Sequence, residues 1–511
     1  MQLWSTTYRK VIEGPKGCKH GQFYGDTCVV SSGFSEEFVG IDFNDKRLSK
    51  RVERIAEGLG RSCHASIPAA ADGRAEMEAI YRFVDNPKVS PPKLTSQHRC
   101  ATVERMRQCD VVLLVQDTTE LDVTRPSQQV SGAGPLTHDS RRGSYYHPLI
   151  AYSAEGLALG TVWNKHWARE AIQTGRTAPE KRKAVRSKPI EEKESIRWVE
   201  GVRAAVEVAR ECPRTQCIAI SDSESDIYEV LAEPRVLDDN RKLELIVRAA
   251  GDRNLADCTD KLLSRVRSTP CLYRATVDVS KRRQKTNVTE KSPRKCSREA
   301  RLAEVEVRAA RVTIRAPRNG PRRPSLEYNV VLVEETSPPE GEAPLQWVLI
   351  TSLPIDTIQE VQQIVGYYCH RWQIEIYFRV LKSGCRIQER YFETLHRLEN
   401  CLAIYIVIAW KILYLCRLGQ ECPDLPCDMV FSESEWKAVY TIVKHKPAPS
   451  QAPTINEMIR LIASLGGYVI RKTTNPGTQT LWLGLQRVYD LANAWDTFGP
   501  GSRHQGRRQT L

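Results

Sequence analysis

The chain has 511 residues, with 75 Lys and Arg against 62 Asp and Glu, and a formal net charge of +13. That length exceeds what one simple core fills, so several domains are expected, and a hydrophobic share of 41% excludes wholesale disorder. The basic balance favours a polyanionic partner, nucleic acid before a membrane surface.

Residues 1–34 show no clear period and are expected to be a poorly ordered extension, or the product of a start site placed too early. NDKRLSKRVERIAEGLG (44–60) reads as a capped helix, with Asn44 or Asp45 at its start and Gly60 at its end. Leu48, Val52, Ile55 and Leu59 form its apolar stripe, while Arg47, Arg51 and Arg54 line another face beside Lys46 and Lys50. Such a face suits either solvent or a DNA backbone. A second helix, GRAEMEAIYRFVDN (73–86), stops at Pro87, so a helical DNA-binding domain is expected over 35–105.

The period then changes. VVLLVQD (111–117) is a continuous apolar run ending in an acid, as a buried central strand reads. YYHPLIAYS (145–153) and LALGTVW (157–163), joined by Ala-Glu-Gly, predict a hairpin. Residues 167–196 are charged and loop-like, and SIRWVEGVRAAVEVAR (195–210) predicts a helix. CIAISD (217–222) is a second buried strand ending in an acid; SDIYEVLAE (225–233) begins a helix and LELIVRAA (243–250) is a further strand. Together these predict a mixed α/β sheet. A long β-like region follows to about residue 355, densely basic from Lys281 to Arg323. Residues 367–384, YYCHRWQIEIYFRVLKSG, predict a helix, and 390–495 are largely helical. The apolar run 401–416, interrupted by Lys411, is shorter than a bilayer span and reads as a buried helix. Residues 499–511 are expected to be a disordered basic tail.

Sixteen cysteines include no C-x-x-C pair; Cys212/Cys217 and Cys422/Cys427 lack a histidine in ligand register. With no signal-peptide pattern at the N-terminus, reduced thiols in a cytoplasmic protein are expected, and a structural zinc site is not.

Two features carry chemistry. Asp117 and Asp222 each follow an apolar strand, and Glu375 sits on a helix among cations. At 100° per residue, Tyr368, Arg371, Glu375 and Lys382 fall within an arc of about 60°, with Arg379 beside it. Three carboxylates from separate elements can converge on divalent cations, which activate water or a hydroxyl for phosphodiester chemistry. Each acid alone has a plainer reading: Asp222 could cap the following helix, leaving Glu224 or Asp226 as the functional acid, and the helix stripe could be a solvated ion-pair face.

QDTT (116–119), SDSESDIY (221–228) and the Y-x-x-R-x-x-x-E-x-x-x-x-x-x-K of 368–382 resemble the DDE transposases of bacterial insertion sequences, in the cut-and-paste group with a Tyr-Arg-Glu-Lys signature. YRFVDNPKVS (81–90) and PLQWVLITSLP (344–354) extend the resemblance, which runs from about Phe38 to about Glu399. It implies an α/β fold with a ribonuclease H-like mixed sheet over 106–395, carrying a β-rich insertion at about 255–355, and a helical C-terminal domain over 396–498 suited to dimerisation. Asp117, Asp222 and Glu375 would form the catalytic and metal-binding triad, holding two Mg²⁺ ions, for which Mn²⁺ could substitute. Tyr368, Arg371, Lys382, Arg248 and, less directly, Arg379 would contact phosphates, and Trp347 would hold a flipped base unless it is an ordinary core tryptophan. Trp372 reads as packing.

The resemblance thus implies a transposase that binds terminal inverted repeats in double-stranded DNA as a homodimer. It would nick, form hairpins and transfer strands into target DNA, associating with the nucleoid and not with membrane. A structure-specific nuclease and a domesticated, inactive DNA-binding protein are the alternatives.

Overall fold

The computed structural model describes residues 32–125, 127, 129–138, 140–170, 188–238, 240–279, 299–317, 323–471 and 474–500. Nearly all of the expected N-terminal extension, most of the charged 167–196 loop, the most basic part of the insertion and nearly all of the expected tail lie outside the described residues.

In chain order the strands are β1 (Val111–Gln116), β2 (Thr119–Asp122), β3 (Gly134–Pro135), β4 (Arg142–Ser153), β5 (Ala158–Trp167), β6 (Gln216–Ser221), β7 (Val236–Asp238), β8 (Arg241–Lys242), β9 (Glu244–Arg248), β10 (Tyr273–Val279), β11 (Arg301–Ile314), β12 (Leu326–Glu335) and β13 (Gln346–Thr351). β1 lies between β4, antiparallel to it, and β6, parallel to it. β5 pairs antiparallel with β4, and β9 pairs parallel with β6. The resulting order, β5-β4-β1-β6-β9 with only β4 reversed, is the ribonuclease H-like arrangement. The apolar runs of β1, β6 and β9 follow from this position: central strands are covered on both faces, so alternation gives way to continuous Val, Ile and Leu.

The β-rich insertion does not stand apart from this sheet. β13 pairs antiparallel with β9 (Leu349 opposite Arg248), and β12, β11 and β10 follow outward, so the sheet runs on through the insertion. β11 alternates buried and exposed residues along much of its length because it covers the core with one face only.

Helical segments close the fold. Lys46–Arg61 is capped by Asp45, whose side chain accepts from the Arg47 amide; it buries Val52, Ile55 and Leu59 and runs one residue past the expected stop at Gly60. Arg74–Val84 and Ser96–Arg107, with the short turns Ile67–Ala70 and Pro91–Leu94, complete the N-terminal helices. The helix expected from residue 367 begins at Ile358, where Thr357 and Glu360 form a capping box: the threonine hydroxyl accepts from the Glu360 amide, and the glutamate accepts from the Thr357 amide. It is not uniform, passing through a 3₁₀ turn at His370–Trp372 and a π turn at Val380–Gly384. The β4–β5 turn docks on it. Gly156 has φ +93°, and a Cβ there would lie 2.5 Å from Gln373 Nε2 and His370 Nδ1, while Gln373 donates to the Gly156 carbonyl at 2.9 Å.

The apolar run at 401–416 is the middle of a helix of 27 residues, Leu395–Glu421. By length and composition this helix could cross a membrane, yet 94% of its most apolar window is buried within the protein. It contributes Trp410, which packs on His98 at 4.6 Å and beneath the Arg105 guanidinium at 4.5 Å. Those residues belong to a buried charge cluster: Arg105 donates to both Glu37 oxygens at 2.8 and 3.2 Å, and His98 Nδ1 lies 2.5 Å from Glu37. His98 Nε2 accepts from the Thr161 amide, and Arg105 Nε donates to the Leu159 carbonyl. The N-terminal segment, the sheet and the long helix are thereby fastened at one point. Lys411, also buried, donates to the Gly33 carbonyl beside Glu36.

Candidate active site

Strand register brings the candidate residues together. β1 and β6 are parallel with Val115 opposite Ile220, so two residues further on Asp117 and Asp222 leave neighbouring strands at the same edge. Adjacent strands lie about 4.8 Å apart, which sets the separation of the two backbones. β9 is parallel to β6 with Ser221 opposite Val247, so Arg248 comes next in the row, its Nη2 3.9 Å from Asp222 Oδ2 and 3.2 Å from Ser223 Oγ.

The capping-box helix crosses this edge and adds Glu375. Between the carboxylates lies Arg371, 2% exposed, donating to Asp117 Oδ2 at 3.1 Å and to Glu375 Oε1 at 3.0 Å. Burial, helped by Asp222 and Glu375 and opposed by Arg371, pushes the Asp117 carboxyl up to about 7. Burial likewise raises Glu375, with Arg371 opposing and Asp222 adding to the rise. Asp117 thus feels the charges of both other acids, and Glu375 feels that of Asp222.

The neighbouring acids are otherwise engaged. Asp226 is buried, accepting from the Ala250 amide at 2.7 Å and from Arg253. Glu224 is 64% exposed and pairs with Arg197. Asp222 does cap a 3₁₀ turn, accepting from the Glu224 amide at 2.8 Å, and still faces Arg248 with its other oxygen.

The other sequence candidates separate into groups. Tyr368 is buried beside the site; burial raises its hydroxyl, with the facing Arg371 and Arg248 opposing. Trp347, 8% exposed, packs edge-on against Tyr368 at 5.6 Å and lines a small apolar groove with Tyr273, Val333 and Val365. Lys382 is half-buried, and the charged groups acting on it are Glu120, Arg141 and Asp122, on and beside β2, rather than the triad. A helical arc ignores distance along the axis: Lys382 lies seven residues, roughly 10 Å, beyond Glu375. Arg379 is exposed on the same helix. Arg47 and Arg54 are exposed and Arg51 half-buried on the first helix, a different element from those that build the site. Sequence reasoning missed the position of Arg371 between the acids, although its spacing four residues before Glu375 was a signal for that half of the contact.

Among the described residues no group of three acidic, imidazole or thiol side chains is gathered closely enough to chelate a cation as it stands. The donor chemistry nevertheless fits a divalent cation: three carboxylates offer hard oxygens at one strand edge, burial with the charges of Asp222 and Glu375 raises Asp117, and an arginine bridges Asp117 and Glu375.

Residues 31–89 match the family of transposase DNA-binding domains, residues 175–410 the transposase DDE domain, and residues 407–495 the Tn5 transposase dimerisation domain. The DDE match contains Asp222 and Glu375, while Asp117 precedes it. The chain also aligns with the cryo-EM structure of the piggyBac transposase synaptic complex with hairpin DNA, at 10% identity and a TM-score of 0.30, over 85% of this chain. It spans 64% of that longer chain. From the three family matches in order along it, the chain belongs to the DDE transposases of insertion sequences.

Proposed function

We propose that this protein binds the terminal inverted repeats of its own element and carries out divalent-metal-dependent cut-and-paste transposition, and that residues 368–382 are a Tyr-Arg-Glu-Lys signature. The observation that carries the reading is the convergence of Asp117, Asp222 and Glu375, with Arg248 and Arg371, at the edge where β1, β6 and β9 end. Asp117, Asp222 and Glu375 would hold the cations, two Mg²⁺ or Mn²⁺. When bound, these supply Lewis-acid activation of a water or a 3′-hydroxyl and neutralise charge on the scissile phosphate.

The chain's own groups do the rest. Arg371 and the Tyr368 hydroxyl would present buried donors to a phosphate oxygen, and Arg248 presents a guanidinium at the same edge. Arg371, which donates to Asp117 and Glu375, would place its guanidinium beside a phosphate held at the same edge. Lys382 and Arg379 extend the cationic side of the helix along the backbone of the bound strand. Trp347 offers an aromatic edge for a base turned out while the end closes into a hairpin. Residues 35–105 supply sequence-independent phosphate contacts through Arg47, Arg51 and Arg54, and residues 396–498 join two copies, so that both ends are held and cut together.

Asp222→Ala should still bind a duplex carrying the element's end but fail to nick it with Mg²⁺ or Mn²⁺. Normal metal-dependent nicking by that variant would remove Asp222 from the triad. With the unaltered protein and a plasmid carrying both ends, hairpin-ended excised fragments support the full reaction, and nicks without strand transfer reduce the reading to a nuclease.

A further inference from the structure

A polar chain links the loops that follow the two aspartates. Arg197 stands in the first turn of the helix Ile196–Arg210. Its Nε donates to Thr118 Oγ1 at 2.8 Å, Nη2 to Glu224 Oε2 at 2.9 Å, and Nη1 to the Glu194 carbonyl at 2.9 Å. The side chain is 12% exposed, and its guanidinium sits 5.3 Å from the Trp198 ring and 5.8 Å from that of Trp167.

The identity of its partners gives this arginine its meaning. Thr118 directly follows Asp117 and donates its amide to Asp117 Oδ1 at 2.7 Å. Glu224 stands two residues after Asp222 and donates its amide to Asp222 Oδ1 at 2.8 Å. One guanidinium therefore grips both strand-end loops, in each case at the residue whose backbone N–H orients the aspartate.

The Thr118 end is fixed from behind. His147 Nδ1 lies 2.8 Å from Thr118 Oγ1, and His147 Nε2 lies 3.1 Å from Gln116 Oε1. With Nε2–H donating to Gln116, Nδ1 is the acceptor for the Thr118 hydroxyl, which leaves a lone pair on Oγ1 for Arg197. Burial keeps the His147 ring neutral, consistent with that tautomer. The chain demands space as well: a Cβ on Gly201 would lie 2.0 Å from Gln116 Oε1. Packing a helix on a sheet requires none of this, since apolar side chains would do it at lower desolvation cost.

We infer that Arg197 is a positioning residue that fixes the spacing and orientation of Asp117 and Asp222 for the divalent cation they would hold, acting through Thr118 and Glu224. The inference rests on the proposed function. A planar fork can span two loops, whereas lysine supplies one point charge and methionine only the stem. Loss of a group that orients metal-binding carboxylates typically lowers metal affinity or activity by about 10- to 100-fold.

The experiment is a Mn²⁺ titration of the full-length, DNA-free protein by electron paramagnetic resonance, paired with nicking of an end duplex at graded Mn²⁺. Thermal melting and metal-free end binding establish that each variant is folded. Arg197→Met should weaken Mn²⁺ binding by about 10-fold or more and move the Mn²⁺ half-saturation of nicking the same way. Arg197→Lys should fall between it and the wild type, and Thr118→Val, nearly isosteric, should shift in the same direction. Should Arg197→Met fail to fold, Arg197→Lys and Thr118→Val decide. Wild-type Mn²⁺ curves in the variants overturn the clamp, whatever their melting temperatures, while leaving the wild-type chemistry standing. A wild type that neither binds Mn²⁺ nor nicks overturns the proposed function, and the clamp with it.

Discussion

Glu37→Gln isolates the charge at the point where the N-terminal segment, the sheet and the long helix meet. Glu37 is 4% exposed, ion-paired to Arg105 and hydrogen-bonded to His98. Burial alone would raise its carboxyl; His98 and Arg105 outweigh that and bring it from 4.5 to about 2. The difference from an ordinary glutamate corresponds to roughly 3 kcal/mol of stability at pH 7. An independent route agrees, since removing one partner of a buried ion pair costs about 3–5 kcal/mol. Glutamine keeps the shape and removes the charge.

The pH dependence separates this account from simple packing loss. A carboxylate whose folded pKa lies below its unfolded one contributes fully above the unfolded value and loses that contribution as pH falls towards the folded one. The gap between wild type and Glu37→Gln should therefore shrink from roughly 3 kcal/mol at pH 7 to roughly 2 kcal/mol at pH 3.5. His98, whose pKa burial lowers, destabilises both proteins as pH falls below its ordinary value, because the unfolded chain takes up a proton that the folded one resists. Urea unfolding followed by tryptophan fluorescence across that pH range measures the gap. A difference that stays constant with pH, or one below about 1 kcal/mol at pH 7, refutes the reasoning.

Other outcomes follow from the same geometry. Replacing Arg47, Arg51 and Arg54 together by glutamine should reduce the slope of log K against log salt for duplex binding by up to about 2.7, at 0.9 per phosphate contact; an unchanged slope places the DNA elsewhere. Trp347→Phe should keep nicking but reduce hairpin product, because a smaller ring can still pack on Tyr368 while stacking a base less well; equal loss of both products assigns Trp347 to the core. Lys411 is buried, and burial lowers its pKa from 10.5 to about 8. The unfolded chain thus binds the proton more tightly, so wild-type stability should rise as pH increases from about 8 towards 10.5, and Lys411→Met should lack that rise. At pH 7 the methionine variant should be between neutral and about 2 kcal/mol more stable, and a loss above about 3 kcal/mol would show that the contacts to Gly33 and Glu36 outweigh desolvation.

What was legible in the sequence was local. The unbroken apolar runs of β1 and β6 announced central strands, Asp45 was one of two residues that could cap the first helix, and Lys411 alone interrupted an apolar run that proved to lie in a buried helix; the capping box at Thr357 went unread, so the helix carrying Glu375 was expected to start nine residues too late. An acid at the end of a buried strand was likewise visible twice. None of these signals depends on what a residue meets across the fold.

The site depends on what does. That Asp117, Asp222 and Arg248 stand in a row is a consequence of two parallel registers, and no single strand carries its partner's register in its own sequence. The insertion could be recognised as β-rich, yet its continuation of the sheet through β13 and β9 rests on a pairing between segments about 100 residues apart, which periodicity cannot express. The helical arc was a projection onto a circle. It grouped Lys382 with Glu375, while the axis carried that lysine about two turns away to the acids beside β2. Arg197 was the least visible of all, an ordinary arginine in a charged helix start. Its significance comes from touching two loops, each beside an aspartate, that meet only because β1 and β6 pair.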